Sequence, residues 1–345
     1  MSTPGEQSPG LHERLRGAGI HVVDHPSLEV GELGSVRRAA ETIASVSRPG
    51  RNVVHCGGIR HSIAARFAAA FAPKGNRIIV STSVGALHNG SRIWPLYYFL
   101  GSLTLNLASH KVLPLCGREL RKMRGFGLMR SKSSVNYFWV DQDGFSEGQA
   151  GPSELQYPFP DSRIQDLNVP KAIYLAQFYG QKGHIPLIQA WKAIAQRDRR
   201  LLLVLAGSGP LEPRCKRLAA ELEISDRICF LPRVPRDVVP HLLRQCTFAV
   251  VTSKAETFGS CIVEPLLAGL PVCTTHVGIG EELAAADGVR LIDETSPKHI
   301  AAALSSLLDG FPTELERMRR GRDWVMENCS VDRAVARLAR VWQEA

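Results

Sequence analysis

The sequence predicts an α/β protein of two Rossmann-like domains, each built on a parallel sheet. Three observations carry that reading. Short apolar runs alternate with amphipathic stretches along the chain, in the β/α order of a doubly wound sheet. The stretch KAETFGSCIVEPLLAGLPVCTT (254–275) joins a strand end to a polar loop, a helix and a further strand, one complete unit of such a sheet. The length of 345 residues and the 44% apolar content suffice for two cores.

Taken in order, residues 1–10 hold no apolar run and read as disordered, with neither a secretory signal nor a transit peptide. LHERLRGAGIHVVDH then reads as the end of an amphipathic helix, a stop at Gly17 and Gly19 and a short strand. A helix with Val36, Ile43 and Val46 on one face leads through Pro49-Gly50 to the strand NVVHC. Gly57-Gly58 opens a helix through Phe71, and RIIVST is the next strand. A loop from Ser83 to Asn89, containing Gly85 and His88, sits at its carboxyl end.

WPLYYFLGSLTLNLASHKVLPLC reads as an apolar, aromatic helix running into a strand, and GRELRKMRGFGLMRSK follows with basic residues from Arg118 to Lys132 against one acid, Glu119. Two readings stay open here: a surface that docks on an anionic membrane, or a core helix followed by a solvated one. After VNYFWVDQDGF, the stretch EGQAGPSELQYPFPDSRIQDLNVP (147–170) is rich in Pro, Gly and polar residues and reads as the linker.

Beyond it come the strand AIYLAQ, a loop with Gly183, a helix to Ala195, LLLVLAG, the Gly-Ser-Gly-Pro turn at 207–210, a helix and ICFLP. A helix at 238–246, FAVVTS, the 254–275 unit, an acidic segment from Glu281-Glu282, VRLID and a helix from Lys298 complete the second domain.

The site is read from the 254–275 unit. Thr257, Phe258, Gly259 and Ser260 lead into its helix, where backbone NH groups have no intrahelical acceptor and form an anion site. Glu256 precedes that site in the loop and Glu264 lies one turn inside the helix. A carboxylate on each side of an anion site suits a ligand that is anionic in its middle and rich in hydroxyls at both ends, as a nucleotide sugar is. On spacing alone, a solvated loop glutamate and a helix-surface glutamate explain the pair equally well.

Composition narrows the classes. The charge of +9 is uneven: residues 1–150 carry 18 Lys and Arg against 10 Asp and Glu, the remainder 24 against 23. The first half therefore faces an anionic partner or merely solvent. Net charge is the only feature favouring nucleic acid, so none is expected as a partner. Eight cysteines without CxxC pairing read as buried thiols of a reducing compartment, not as a zinc site. No apolar run reaches the roughly 20 residues a membrane span needs, and the expected location is cytoplasmic.

QFYGQKGH, LAGSGP, ETFGSCIVEP with AGLPV, and GIGEEL occur in one order and spacing, and this succession resembles the retaining glycosyltransferases of family 4 (glycosyl transferases group 1). NVVHC and VDQDGF resemble first-domain segments of the same family more loosely. The resemblance implies the GT-B fold, two Rossmann-like domains facing across a cleft. The domains would be an acceptor-side domain at 1–165, a nucleotide-sugar domain at 166–325 and a C-terminal helix at 326–345 packing back on the first. It implies that Glu256 holds hydroxyls of the transferred sugar, that Glu264 holds the ribose and that Lys182 contacts the diphosphate. Gly207 and Gly209 would line the nucleotide pocket, with Thr257, Phe258, Gly259 and Ser260 on the donor.

The same resemblance implies a UDP- or GDP-linked hexose as co-substrate, retention of anomeric configuration, no metal and no bound cofactor. The acceptor would be a glycan or a lipid-linked molecule in cell-surface polysaccharide or glycoconjugate synthesis, at the inner membrane face.

Three departures stand out. Gln177 occupies the position where the family usually has arginine. The family histidine after the RIIVST strand falls on Ser83 or Val84, with His88 the nearest imidazole, so Ser83, Gly85 and His88 are the acceptor-side candidates. The chain begins about where the family's first helix ends, so the first strand and its glycine-rich loop are expected to be missing. These departures keep a second hypothesis open, a degenerate member that binds nucleotide sugar as a partner or regulator without catalysis.

Overall fold

The structure, a computed structural model, describes residues 52–57, 76–82, 110–125, 127, 130–140, 142–145 and 159–344. The expected elements before residue 52, the loop with Ser83, Gly85 and His88, and the aromatic run Trp94 to Phe99 lie outside the described residues.

In the first domain β1 (Asn52–Gly57), β2 (Asn76–Thr82) and β3 (Lys111–Pro114) form a parallel sheet in that order. The helix α1 (Gly117–Gly125) starts three residues after β3. The second sheet has the order β6-β5-β4-β7-β8-β9 and is parallel throughout. Its strands are β4 (Lys171–Leu175), β5 (Leu202–Ala206), β6 (Ile228–Leu231), β7 (Phe248–Val251), β8 (Val272–Thr275) and β9 (Arg290–Ile292). Every residue of β5, β7 and β8 is buried, because helices cover both faces and a continuous apolar run is then the stable solution.

The covering helices are α2 (His184–Arg197), α3 (Glu212–Glu221), α4 (Val239–Arg244), α5 (Ser260–Leu267), α6 (Gly280–Ala285) and α7 (Pro297–Asp309). The carboxylate of Glu314, on α8 (Phe311–Asn328), is buried and ion-paired to Arg290 of β9 and to Arg317, which fastens α8 to the sheet edge.

Of the stretch read as a linker, residues 147–158 lie outside the described residues and residues 159–170 belong to the domain that follows. Phe159 and Ile164 pack into the core of the second domain, and Asp161 caps the short turn Ser162–Ile164. The buried ammonium of Lys171 donates to the carbonyls of Asp166 (2.6 Å) and Val169 (2.7 Å), which fixes the approach to β4. Composition pointed to a linker because Pro, Gly and Asp are needed for these turns as much as for a flexible chain.

At the other end the chain breaks its helix at Cys329 and Ser330, and α9 (Val331–Glu344) returns to the first domain. Leu338 and Val341 pack on Leu113 of β3, and Lys111 pairs with Glu344 at 3.5 Å.

Candidate active site

β4 and β7 are neighbours in the sheet although 77 residues separate their first positions, 171 and 248. Strand order reverses between them, so the loops leaving their carboxyl ends diverge and open a crevice, the usual ligand position in such sheets. A cleft of about 680 Å³ lies there. Gln177, Lys182, Gly207, Glu256, Thr257, Phe258, Gly259, Ser260 and Glu264 all line it, together with Leu115 and Phe138 from the first domain.

The local chain explains each placement. Lys182 ends a short turn after β4, and Glu256 follows β7 by five residues. The two loops are tied by the Lys254 amide, which donates to the Gln181 carbonyl at 2.7 Å. Gly183 then lies so close to the Thr252 carbonyl that a Cβ would stand 2.2 Å from its oxygen, so a side chain there would push the loops apart. In this frame Lys182 Nζ donates to Glu256 Oε1 at 2.6 Å, with both side chains largely buried.

The same carboxylate oxygen accepts from Ser253 Oγ at 2.6 Å. Ser253 Oγ, whose proton points to the carboxylate, lies 2.6 Å from the Tyr174 hydroxyl, and that hydroxyl shares its one proton between Ser253 Oγ and the Lys182 carbonyl at 2.9 Å. Burial raises the Tyr174 phenol well above its ordinary range, so it stays a neutral donor. Glu256 is thereby held in one orientation by a cation and a hydroxyl chain that ends inside the core. Beneath it His184 is sandwiched between Tyr174 and Phe178, ring centroids 5.1 and 4.3 Å away, and burial with the nearby Lys182 pushes its imidazole down to about 4.

Glu264 is placed differently. On α5 it lines the cleft with no hydrogen-bond or ion-pair partner among the described residues. Burial pushes its carboxyl up to about 7, only partly offset by the Arg236 charge. A desolvated carboxyl without a donor is unfavourable unless a ligand supplies one. Ahead of α5 the amides of Phe258, Gly259 and Ser260 make no backbone hydrogen bond among the described residues, and they precede the first intrahelical bond. Lys182, these amides and the helix start give the cleft a positive floor between two carboxylates.

Gly207 and Gly209 serve the cleft through backbone approach. Phe178 N donates to Ser208 O at 3.0 Å and Leu211 N to Phe178 O at 3.1 Å, joining the loops after β4 and β5. A Cβ on Gly207 would lie 2.2 Å from the Ala176 carbonyl oxygen, so this seam forms only with glycine. Gly207 reaches the cleft wall, whereas Gly209 stays behind it against Phe178.

Sequence reasoning missed Ser253 and Tyr174, which orient Glu256, and Arg233, which lines the cleft from the loop after β6. No local signal marks the first two, because a serine and a tyrosine at strand ends acquire their roles only through the β4–β7 pairing. Arg233 was visible as a cation just past a strand end, the edge at which ligands bind. It gives the cleft a second cation where Gln177 lacks one.

The basic segment turns part of its charge to the second domain. Arg118 and Arg121 on α1 bind Glu281, and the Gly117 amide donates to Glu282, both acids standing at the start of α6. Cys116 Sγ donates to the Thr257 carbonyl at 3.3 Å, and Phe138 packs on Phe258 with centroids 5.8 Å apart. The segment is an interdomain contact that brings the first domain over the cleft. Cys116, Cys215, Cys229, Cys246, Cys261, Cys273 and Cys329 are free thiols, and no described helix is long and apolar enough to cross a membrane.

Known proteins share this fold. Anabaena Alr3699/HepE in complex with UDP and glucose superposes with a TM-score of 0.77 at 15% identity, covering 97% of this chain and 89% of that one. Sucrose-phosphate synthase from Thermosynechococcus elongatus gives 0.76 at 16% identity, covering 96% and 90%. The fold is that of the GT-B glycosyltransferases. The family model for glycosyl transferases group 1 matches residues 160–323.

Among curated relatives, the uncharacterized glycosyltransferase YqgM of Bacillus subtilis is 33% identical over 144 residues, 42% of this chain and 39% of that protein. The D-inositol 3-phosphate glycosyltransferase of Corynebacterium glutamicum is 33% identical over 210 residues, 55% of this chain and 49% of that protein. The chain thus spans about half the length of the curated relatives it matches or less.

Proposed function

We propose that the protein is a retaining glycosyltransferase that moves a hexose from a UDP- or GDP-linked donor to a glycan or lipid-linked acceptor, without a metal ion. The observation that carries the proposal is the arrangement at the cleft, with Glu256 oriented by Lys182 and Ser253 on one side of the α5 amides and the unpartnered Glu264 on the other. Glu264 would accept from ribose hydroxyls, and the amides and Lys182 would take the diphosphate. Glu256 would hold hydroxyls of the hexose. UDP in the structural neighbour supports the donor class.

In the reaction the bond from the anomeric carbon to the diphosphate oxygen breaks and its electron pair stays on that oxygen. Lys182, the amides of Phe258, Gly259 and Ser260, and Arg233 stand where this charge develops, and preorganised donors in a water-poor cleft stabilise it most. An acceptor oxygen bonds to the anomeric carbon on the face the phosphate leaves, and its proton passes to the departing phosphate oxygen. Configuration is then retained, and no protein base is needed.

The acceptor is assigned to the first domain, whose residues 1–150 carry most of the net positive charge, 18 Lys and Arg against 10 Asp and Glu. Cell-surface polysaccharide or glycoconjugate synthesis at the inner membrane face fits that charge, although Arg118 and Arg121 do not contribute to it. The second reading, a nucleotide-sugar-binding partner without catalysis, draws on Gln177, which leaves one position in the cleft uncharged.

Calorimetric titration with UDP and GDP, followed by assay of nucleotide release from UDP- and GDP-hexoses in the presence of a chelator, tests the proposal. Binding with turnover is the expected result. Binding without turnover on any acceptor would favour the partner reading, and absence of binding to both nucleotides would overturn both.

A further inference from the structure

The segment 134–140 runs between the two domains without regular secondary structure, and it is held at both ends. Asn136 N donates to the Pro114 carbonyl at 2.9 Å, Arg337 Nε donates to Asn136 Oδ1 at 3.3 Å, and Val140 N donates to the Cys329 carbonyl at 3.0 Å. Inside this frame the side chains sort themselves. Tyr137 turns to α8 and α9, edge-on to Trp324 and under Arg337, and Val140 is buried in the core.

Phe138 and Trp139 do neither. They remain 40% and 44% exposed, and their rings are stacked with an interplanar angle of 13° and centroids 5.7 Å apart. Two large aromatics left in water beside a cleft, on a backbone fixed on either side, form a preorganised apolar platform. Phe138 itself lines the cleft and leans on Phe258, whose amide belongs to the anion site.

We propose that Phe138 and Trp139 form an acceptor subsite that stacks against the apolar face of a pyranose ring, so that the acceptor presents a sugar hydroxyl to the donor. The inference rests on the glycosyltransferase reading above. A pyranose carries several C–H groups on one face, and these bear partial positive charge that the negative face of an aromatic ring attracts. Its hydroxyls stay at the ring edge, free for water or for the transfer. The position fits a ring next to the leaving diphosphate, because the platform touches the loop that would bind that group. An acyl chain would be served equally by any apolar surface, whereas an exposed aromatic face held nearly parallel to its neighbour matches the flat face of a sugar.

Saturation-transfer NMR on the full chain with saturating UDP would test this, using methyl α-D-glucopyranoside, methyl α-D-galactopyranoside and methyl α-D-mannopyranoside as probes and pentanol as an apolar control. The expected result is saturation of the ring C–H protons of at least one pyranoside. Trp139→Ala and Phe138→Ala should weaken it about threefold to tenfold, while the UDP dissociation constant of Trp139→Ala stays unchanged.

Absence of a pyranoside signal while UDP binds would overturn this inference alone, and loss of UDP binding by the unaltered protein would overturn the reading beneath it. A signal on pentanol only would assign the pair to an acyl chain and also overturn the proposal. So would a pyranoside signal that Glu256→Gln removes and Trp139→Ala spares, since it would come from the donor-sugar position.

Discussion

Lys182 Nζ and Glu256 Oε1 lie 2.6 Å apart across the neighbouring strands β4 and β7, and Ser253 reaches the same oxygen. In the ligand-free cleft the cation proposed for the diphosphate is thus paired with the carboxylate proposed for the sugar. A donor entering the cleft has to share or divide that pair, so the two residues are coupled in any mutational test.

Glu256→Gln is expected to abolish hexose transfer while UDP or GDP binding survives. The glutamine keeps a carbonyl acceptor for Ser253 and frees Lys182 for the diphosphate, so nucleotide affinity should stay equal or rise. Calorimetry beside a turnover assay measures both, and loss of nucleotide binding would remove Glu256 from the sugar side.

Glu264→Ala should weaken nucleotide binding by about 1.5 to 3 kcal/mol, typical of a hydrogen bond to a charged group. The carboxyl sits at about 7 without ligand, and ribose hydroxyls donating to it would favour the charged form. Nucleotide binding near pH 7 should therefore release a proton, seen as a binding enthalpy that depends on the buffer's ionisation enthalpy. An enthalpy independent of buffer would place Glu264 away from the ribose.

The same carboxyl makes a prediction for stability. Its folded value is raised above the ordinary 4.5, so between about 4.5 and 7 the unfolded chain gives up its proton first. The contribution of Glu264 is then fully present below pH 4.5 and falls as pH rises to 7, by an amount on the order of 3 kcal/mol. Glu264→Gln should flatten that part of the profile, measured by denaturant unfolding at several pH values, and an unchanged slope would refute the shift.

Gln177→Arg should leave the fold intact and raise turnover, because a second cation on the β4 side of the cleft would act on charge that develops only as the diphosphate leaves. The comparison to make is kcat against nucleotide affinity. A lower rate with normal binding would mean that Arg233 already fills the role and the added charge misplaces the donor.

Sedimentation with anionic liposomes at low and high salt separates the two uses of the basic segment. Binding at low salt is expected from the charge of the first half, and Arg118→Gln with Arg121→Gln should leave it unchanged because both side chains face Glu281. Loss of liposome binding in that variant would return these arginines to the membrane, and no binding by the unaltered chain would end the membrane reading.

The α/β class, the alternation of strands and helices in the second domain and part of its cleft are legible in the sequence alone. A parallel sheet covered on both faces writes each strand as an apolar run, and a helix start with flanking carboxylates is a local pattern, so Glu256, Glu264 and the 257–260 turn were legible without coordinates. The tertiary structure decided what those residues meet. Strand order is not written in any local stretch, and only the β4–β7 pairing sets Lys182 on Glu256 and turns Ser253 and Tyr174 into its supports. Burial of Glu264 likewise depends on loops far apart in sequence. Charge misled where a partner lay more than a hundred residues away, because Arg118 and Arg121 of α1 are answered by Glu281. Composition misled at 159–170, where turn residues fold around Lys171 and Ile164 because the second core, not solvent, receives them.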